Sequence, residues 1–298
     1  MTDHDTTPHR PFGRALCAMV TPFTPDGTAL DRDRAAALAA GLVARGCDGL
    51  VLNGTTGESP TTSDAEKREL IAAVRAAVGP SVPLVAGVGT ADTAHTVALA
   101  RQAEAAGADG LLVVPPYYSR PPQAALEAHF RRVADATGLP VMLYDIPGRT
   151  AVRIEPDTMA RLAEHPRIVA VKDCAYDVLG TTGLLARTPL AVYSGCEELN
   201  LPLCALGGAG FVSTVANAAP AEVRAVVDAY DAGATAEAAR LNGRLLALTE
   251  LMTASGLPGA VTAKALVDAG PPREPLQPAG RDAVDGLRGA LAELVSRR

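Results

Sequence analysis

Hydrophobic positions along the chain fall into short unbroken runs, separated by longer stretches in which Ala, Arg and Glu are mixed. The runs lie at Ala15–Val20, Gly49–Asn53, Val82–Val88, Gly110–Pro115, Pro140–Tyr144, Ile168–Lys172, Ala191–Ser194 and Gly210–Ser213. They show no polar–apolar alternation, which is the pattern of strands buried on both faces. Between them, helical periodicity predicts helices at about 31–45, 63–77, 92–106, 123–137, 155–164, 176–187, 197–206 and 219–231, several introduced by a capping residue such as Asp31, Ser63 or Asp92. Eight strand–helix units with no change of composition midway predict an α/β fold, a closed (β/α)8 TIM barrel. Further helical patterns at about 234–255, 259–269 and 281–296 predict a C-terminal appendage, with PPREPLQPAG (271–280) linking the last two. The expected organisation is a mobile polar tail over 1–12, a barrel over 13–231 and a helical appendage over 232–298.

Composition narrows the function. The net charge is −6 and the basic residues form no stripe, so the footprint of a nucleic-acid binder is missing. No apolar run approaches the roughly 20 residues that span a bilayer, so no membrane segment is expected. Five cysteines without a C-x-x-C pair, and a start (MTDHDTTPHRPFG) without an apolar export segment, predict a reduced, cytoplasmic protein. The five histidines fall in the tail or in helical stretches and no H-E-x-x-H occurs, so no metal site is expected. G-V-G-T-A-D (87–92) lacks the third glycine of a dinucleotide fingerprint, and neither a phosphate loop nor G-x-S-x-G is present. One count stands out: the 27 basic residues comprise 24 Arg and only three Lys, at Lys67, Lys172 and Lys264.

In a barrel the active site lies at the C-terminal ends of the strands. Lys172 ends the sixth run there. A lysine can lose its proton and attack a carbonyl, whereas arginine can do neither, so its retention suggests that the amine itself is needed. The alternative is a lysine paired with Asp173 or Glu197. Lys67 and Lys264 sit in amphipathic helix patterns, where a solvated face is expected. N-G-T-T-G-E-S (53–59) offers hydroxyls and exposed backbone N–H groups suited to a small carboxylate, or else forms an ordinary turn. V-V-P-P-Y-Y-S-R-P-P (113–122) follows the fourth run, and L-Y-D-I-P-G-R-T (143–150) the fifth. Tyr144 could relay protons or pack at the rim. Arg149 could clamp a carboxylate or pair with Asp145.

With G-T-T-G-E-S, P-P-Y-Y-S-R-P, Y-D-I-P-G-R-T and V-K-D in order at the strand ends, the chain from about residue 12 to about 290 resembles the dihydrodipicolinate synthase / N-acetylneuraminate lyase family of pyruvate-dependent class I aldolases. The Y-x-x-P-x-R-T pattern resembles the dihydrodipicolinate synthase branch, which acts in lysine and diaminopimelate synthesis. The resemblance implies that Lys172 forms a Schiff base with pyruvate and that Thr55 and Thr56 hold the pyruvate carboxylate, with Gly54, Gly195 and Val212 around the substrate. It implies a proton relay of Tyr144, Thr55 and Tyr118, with Tyr118 arriving from a neighbouring subunit and Tyr117 stacked at that interface, and hence a homotetramer built as a dimer of dimers. Arg149 would bind the carboxylate of L-aspartate 4-semialdehyde. No cofactor is implied beyond the covalent imine. Cys196-Glu197 stands where the family usually has two Asp, and V-V-P-P where V-T-P is usual. These departures border the mouth and leave open a sister aldolase or dehydratase using another aldehyde; a barrel that only binds a 2-oxo acid is the third reading. In lysine-inhibited members an Asn and a Glu after the third strand contact the inhibitor; Ala91 and His95 stand at the corresponding positions, which implies a weak response to lysine.

Overall fold

The computed structural model describes residues 9–253 and 255–296. Strands β1 (Ala15–Ala18), β2 (Gly49–Leu52), β3 (Leu84–Gly87), β4 (Gly110–Val113), β5 (Val141–Asp145), β6 (Ile168–Asp173), β7 (Ala191–Ser194) and β8 (Gly210–Ser213) pair in sequence order and close into a barrel. Every pair is parallel, and β8 returns to β1 with Val212 opposite Leu16. Along each strand, side chains alternate between the barrel interior and the shell under the helices. Leu16, Val51, Leu112 and Val212 point inward, while Cys17, Leu50, Leu52 and Leu111 pack in the outer shell. Both faces are apolar, which is why the runs carry no alternation. The expected α/β TIM barrel is therefore observed. The first four strands are shorter than their runs: of Val82–Val88, only Leu84–Gly87 keeps the ladder, whereas β7 and β8 coincide with their runs and β6 extends one residue further to Asp173.

The helices are α1 (Arg32–Ala44), α2 (Asp64–Val78), α3 (Thr93–Ala105), α4 (Gln123–Ala134), α5 (Pro147–Thr150), α6 (Pro156–Leu162), α7 (Val178–Arg187), α8 (Asn200–Ala205) and α9 (Pro220–Asp231), followed by α10 (Thr235–Thr253), α11 (Gly259–Leu266) and α12 (Arg281–Ser296). The anticipated caps are present. Asp31 accepts from the Arg34 N–H at 3.0 Å, and Ser63 with Glu66 forms a reciprocal capping box. Asp92 accepts from the N–H groups of Ala94 and His95.

The tail boundary needs correction. Residues 1–8 of the expected 1–12 tail lie outside the described residues, but Phe12 is only 1% exposed and plugs the barrel floor, its ring centroid 6.4 Å from that of Tyr193. Gly110 makes room for it, since a Cβ there would lie 2.4 Å from Phe12 Cε1. The C-terminal helices also do more than append. α10 packs on α9 and α12 on α10, while the strap after α11 brings Pro275 and Leu276 to the wall of the cavity at the barrel mouth.

Candidate active site

That cavity, of about 670 Å³, opens at the C-terminal ends of the strands and is lined by Thr55, Thr56, Tyr144, Arg149, Lys172 and Gly195, among others. A neighbouring cavity of about 380 Å³ shares Thr55, Tyr144 and Arg149 with it, and adds Gly54 and Tyr117.

Lys172 occupies the inward-facing row of β6, between Ala170 and Cys174, with Tyr144 of β5 and Tyr193 of β7 as its register neighbours. It is 5% exposed, and its Nζ lies 4.5 Å from the Tyr144 ring centroid. Burial pushes its pKa below the ordinary lysine value. The pairings considered as alternatives do not form. Asp173 instead accepts from Thr181 Oγ1 and from the Ala175 N–H. Glu197 accepts from Ser213 Oγ at 2.8 Å, the Thr214 N–H at 2.6 Å, the Val215 N–H at 2.9 Å and Asn200 Nδ2 at 2.9 Å. Among the described residues no carboxylate lies within ion-pair distance of Lys172 Nζ.

Two features tighten the site around this amine. Gly195 is held against β6 by a hydrogen bond from its N–H to the Asp173 carbonyl at 2.8 Å. A Cβ on Gly195 would stand 2.7 Å from Lys172 Cε, so any other residue would displace the lysine. The Tyr144 phenol is buried, which raises its pKa well above the usual value, and the nearby Thr55 hydroxyl acts against that rise. At pH 7 it is therefore a neutral O–H group able to donate a proton and take it back.

The turn after β2 is bent by left-handed backbone at Asn53 (φ 57°) and Glu58 (φ 54°). The Glu58 and Ser59 N–H groups close it onto the carbonyls of Thr55 and Gly54. Thr56 Oγ1 lies 3.2 Å from Thr214 Oγ1. Among the described residues the N–H groups of Thr55 and Thr56 donate to no protein acceptor, which leaves two donors of this turn unpaired.

Arg149 sits in α5, whose four residues follow β5 directly. The expected alternative, pairing with Asp145, is not what forms. Asp145 accepts from the Ile154 N–H at 3.0 Å and lies 3.8 Å from Arg153, and burial pushes its carboxyl up to about 7. Arg149 is thereby left to line both cavities.

Not every anticipated residue gathers here. Val212 is buried in the barrel interior below the cavity and does not line it. Tyr118 is 95% exposed with φ 72° and stands clear of its own chain's site, while Tyr117 is half-exposed.

The solvated faces expected for Lys67 and Lys264 are a clear correction. Both are buried. Lys67 Nζ donates to the Ser59 carbonyl at 2.8 Å and to the Thr62 carbonyl, bracing the far side of the Thr55–Thr56 turn. Lys264 Nζ lies 2.5 Å from Glu58 Oε1 and 3.9 Å from the Phe23 ring centroid. The Arg273 N–H donates to Glu58 Oε2 at 2.8 Å. Amphipathic periodicity locates a helix but not a loop that folds over it, so these roles, like those of Glu58, Glu197 and Thr214, were missed. The scarcity of lysine was the one signal that could have found two of them.

Comparison with known proteins places this geometry. Residues 11–294 match the dihydrodipicolinate synthetase family. A protein of Streptomyces coelicolor named 4-hydroxy-tetrahydrodipicolinate synthase 1 is 67% identical over 99% of this chain and 97% of its own length. A 4-hydroxy-tetrahydrodipicolinate synthase of Kineococcus radiotolerans is 56% identical over 96% of this chain and 94% of its own length. The crystal structure of the Cyanidioschyzon merolae enzyme with lysine bound superposes with a TM-score of 0.93 at 36% identity, covering 96% of this chain and 99% of that one. The chain belongs to the dihydrodipicolinate synthetase family.

Proposed function

We propose that the chain is a Schiff-base, pyruvate-dependent lyase acting as a 4-hydroxy-tetrahydrodipicolinate synthase, which condenses pyruvate with L-aspartate 4-semialdehyde. The observation that carries this reading is Lys172: an amine with no carboxylate partner among the described residues, buried against the Tyr144 ring at the wall of a cavity shared with Thr55, Thr56 and Arg149. At the reference pKa of about 10.4, roughly one lysine in 2500 would be neutral at pH 7; burial raises that fraction.

The neutral amine attacks C2 of pyruvate, and loss of water leaves an iminium on Lys172. This electron sink acidifies the methyl group. Tyr144, beside Thr55, gives its proton to the departing hydroxyl; the phenolate so formed takes the methyl proton, the resulting enamine adds to the aldehyde carbon, and the restored Tyr144 O–H protonates the aldehyde oxygen. The Thr55–Thr56 turn supplies hydroxyl and N–H donors for the pyruvate carboxylate, and Arg149 supplies a planar two-pronged donor for the carboxylate of the aldehyde. The imine carries the electronic load, so this scheme uses no separate cofactor. Among the described residues no group of three His, Cys, Asp or Glu is arranged to hold a metal ion, and no helix is long and apolar enough to cross a membrane. Tyr118, exposed and turned from its own site, is the group a neighbouring copy would receive in a dimer of dimers. A cytoplasmic location suits the reduced thiols this chemistry leaves beside the site.

An aldehyde panel with pyruvate held constant tests the reading. Turnover should be fastest with aspartate semialdehyde; a higher kcat/KM with an aldehyde lacking a carboxylate would replace this reading with that of a sister aldolase.

A further inference from the structure

Two thiols that this reaction does not use stand beside Lys172. β6 and β7 run in register with Lys172 opposite Tyr193 and Asp173 opposite Ser194. The hydrogen bond from Gly195 N–H to the Asp173 carbonyl extends the pairing one step further, which sets Cys174 beside Gly195 and one residue from Cys196. With neighbouring strands about 4.8 Å apart and a rise of about 3.3 Å per residue, the two cysteine Cα atoms come within about 6 Å, inside the range a disulfide spans. Ser194 Oγ accepts from the Cys196 N–H and donates to its carbonyl, folding the chain back over the strand end. Gly195 places nothing between the thiols, and a Cβ there would lie 2.3 Å from Cys174 Sγ. Both thiols belong to the interior cluster and both line the open cavity.

We propose that Cys174 and Cys196 form a redox modification site, a dithiol that a hydroperoxide converts to an intramolecular disulfide, closing the Lys172 site reversibly. The thiols are matched for this chemistry. Their mutual interaction lowers the pKa of Cys196 while it raises that of Cys174. The Cys196 thiolate attacks the peroxide O–O bond, forming S–O; the expelled oxygen leaves as hydroxide or alkoxide and is protonated. Cys174 sulfur then attacks the sulfenic sulfur, forming S–S and releasing hydroxide, which departs as water with the Cys174 proton. Two electrons pass from the dithiol to the peroxide, and no other reductant is needed. Cys17 and Cys47 also interact with each other, but they are buried in the shell between barrel and helices and line neither cavity. They form an internal control for access.

The effect on activity rests on the proposed role of Lys172; the disulfide itself does not. Full-length reduced protein is treated with hydrogen peroxide, free thiols are alkylated and the peptides are mapped. The expected product is a Cys174–Cys196 cross-link formed ahead of oxidation at Cys17, Cys47 or Cys204. Pyruvate trapping by cyanoborohydride, which reduces the imine but spares a disulfide, should fall in step with the cross-link and recover with dithiothreitol. Cys174→Ser and Cys196→Ser, each compared with and without peroxide, should lose the reversible response. Mapping of the unsubstituted protein decides the matter even where a variant fails to fold. Oxidation of Cys196 to sulfinic acid without a cross-link, or prior cross-linking of Cys17 to Cys47, would overturn the site. A complete Cys174–Cys196 cross-link with undiminished trapping would overturn its control of Lys172.

Discussion

Lys172 and Lys264 are both buried amines stacked on an aromatic ring, one in the barrel mouth and the other where the C-terminal strap meets the turn after β2. Lys264 lies 2.5 Å from a buried carboxylate, Glu58, and donates to the Pro271 carbonyl at 3.1 Å. Lys172 has the cavity in place of a counter-charge, because its two candidate carboxylates are committed to backbone and hydroxyl donors. Burial pushes both pKa values down, but at Lys264 the neighbouring Glu58 carboxylate acts against that shift. Burial alone therefore does not make a nucleophile. Burial without a partner is what marks Lys172 as the proposed nucleophile, and the same polypeptide uses the partnered lysine as a fastener for the turn after β2.

The largest effect expected is on turnover. Lys172→Arg keeps the charge and most of the reach but cannot form an imine, so activity and borohydride trapping of pyruvate should both vanish in a folded protein. Stability should show the opposite asymmetry. Lys264→Met strands the buried carboxylate of Glu58 and should cost about 3–5 kcal/mol, a fall of about 10 °C in Tm. Adding Glu58→Gln should return part of it. Lys172→Met removes an amine with no counter-charge and should leave Tm unchanged or raise it. The pH dependence has a defined sign: the Lys172 pKa is lowered in the folded state, so the unfolded chain binds more protons just below the ordinary lysine range. Stability should rise with pH through that window, and Lys172→Met should flatten the rise in thermal melts.

A smaller effect separates substrate recognition from the imine. Arg149→Ala should forfeit about 1.5–3 kcal/mol, about 10- to 150-fold in kcat/KM for aspartate semialdehyde, with pyruvate trapping and Tm held. A parallel fall in trapping would make Arg149 a scaffold residue. The smallest effect concerns free lysine, whose ammonium needs a carboxylate as Lys264 needs Glu58. Beside Ala91 the Asp92 carboxylate caps α3 through the N–H groups of Ala94 and His95, and both oxygens of Asp64 already face His95 Nε2, at 3.1 and 2.9 Å. An inhibition titration should show only weak inhibition, and half-inhibition at submillimolar lysine would contradict this.

What was legible in the chain follows from the same contrast. The barrel was readable because strands buried on both faces leave unbroken apolar runs, and the helices because Asp31, Ser63 and Asp92 cap them. Lys172 was readable because a strand end fixes where its side chain points. Lys67 and Lys264 were misread as solvated because their partners, Ser59 and Glu58, lie on a loop whose fold depends on left-handed backbone at Asn53 and Glu58, neither of them a glycine. Phe12 was assigned to a tail because nothing local marks a residue that plugs a barrel floor. The α5 turn around Arg149 was missed because four residues carry no periodicity. Tyr118 shows the limit of one chain: it stands exposed and clear of its own chain's site, and the role proposed for it needs a second copy.

The most direct test of the central claim is a peptide map of all three lysines after incubation with pyruvate and borohydride. One reduced pyruvyl unit on Lys172, with Lys67 and Lys264 unmodified, is the predicted result. Modification of Lys264 or Lys67, or an unmodified Lys172 in a protein shown to be folded, would contradict the claim that a buried lysine with neither a counter-charge nor a hydrogen-bond partner carries the chemistry.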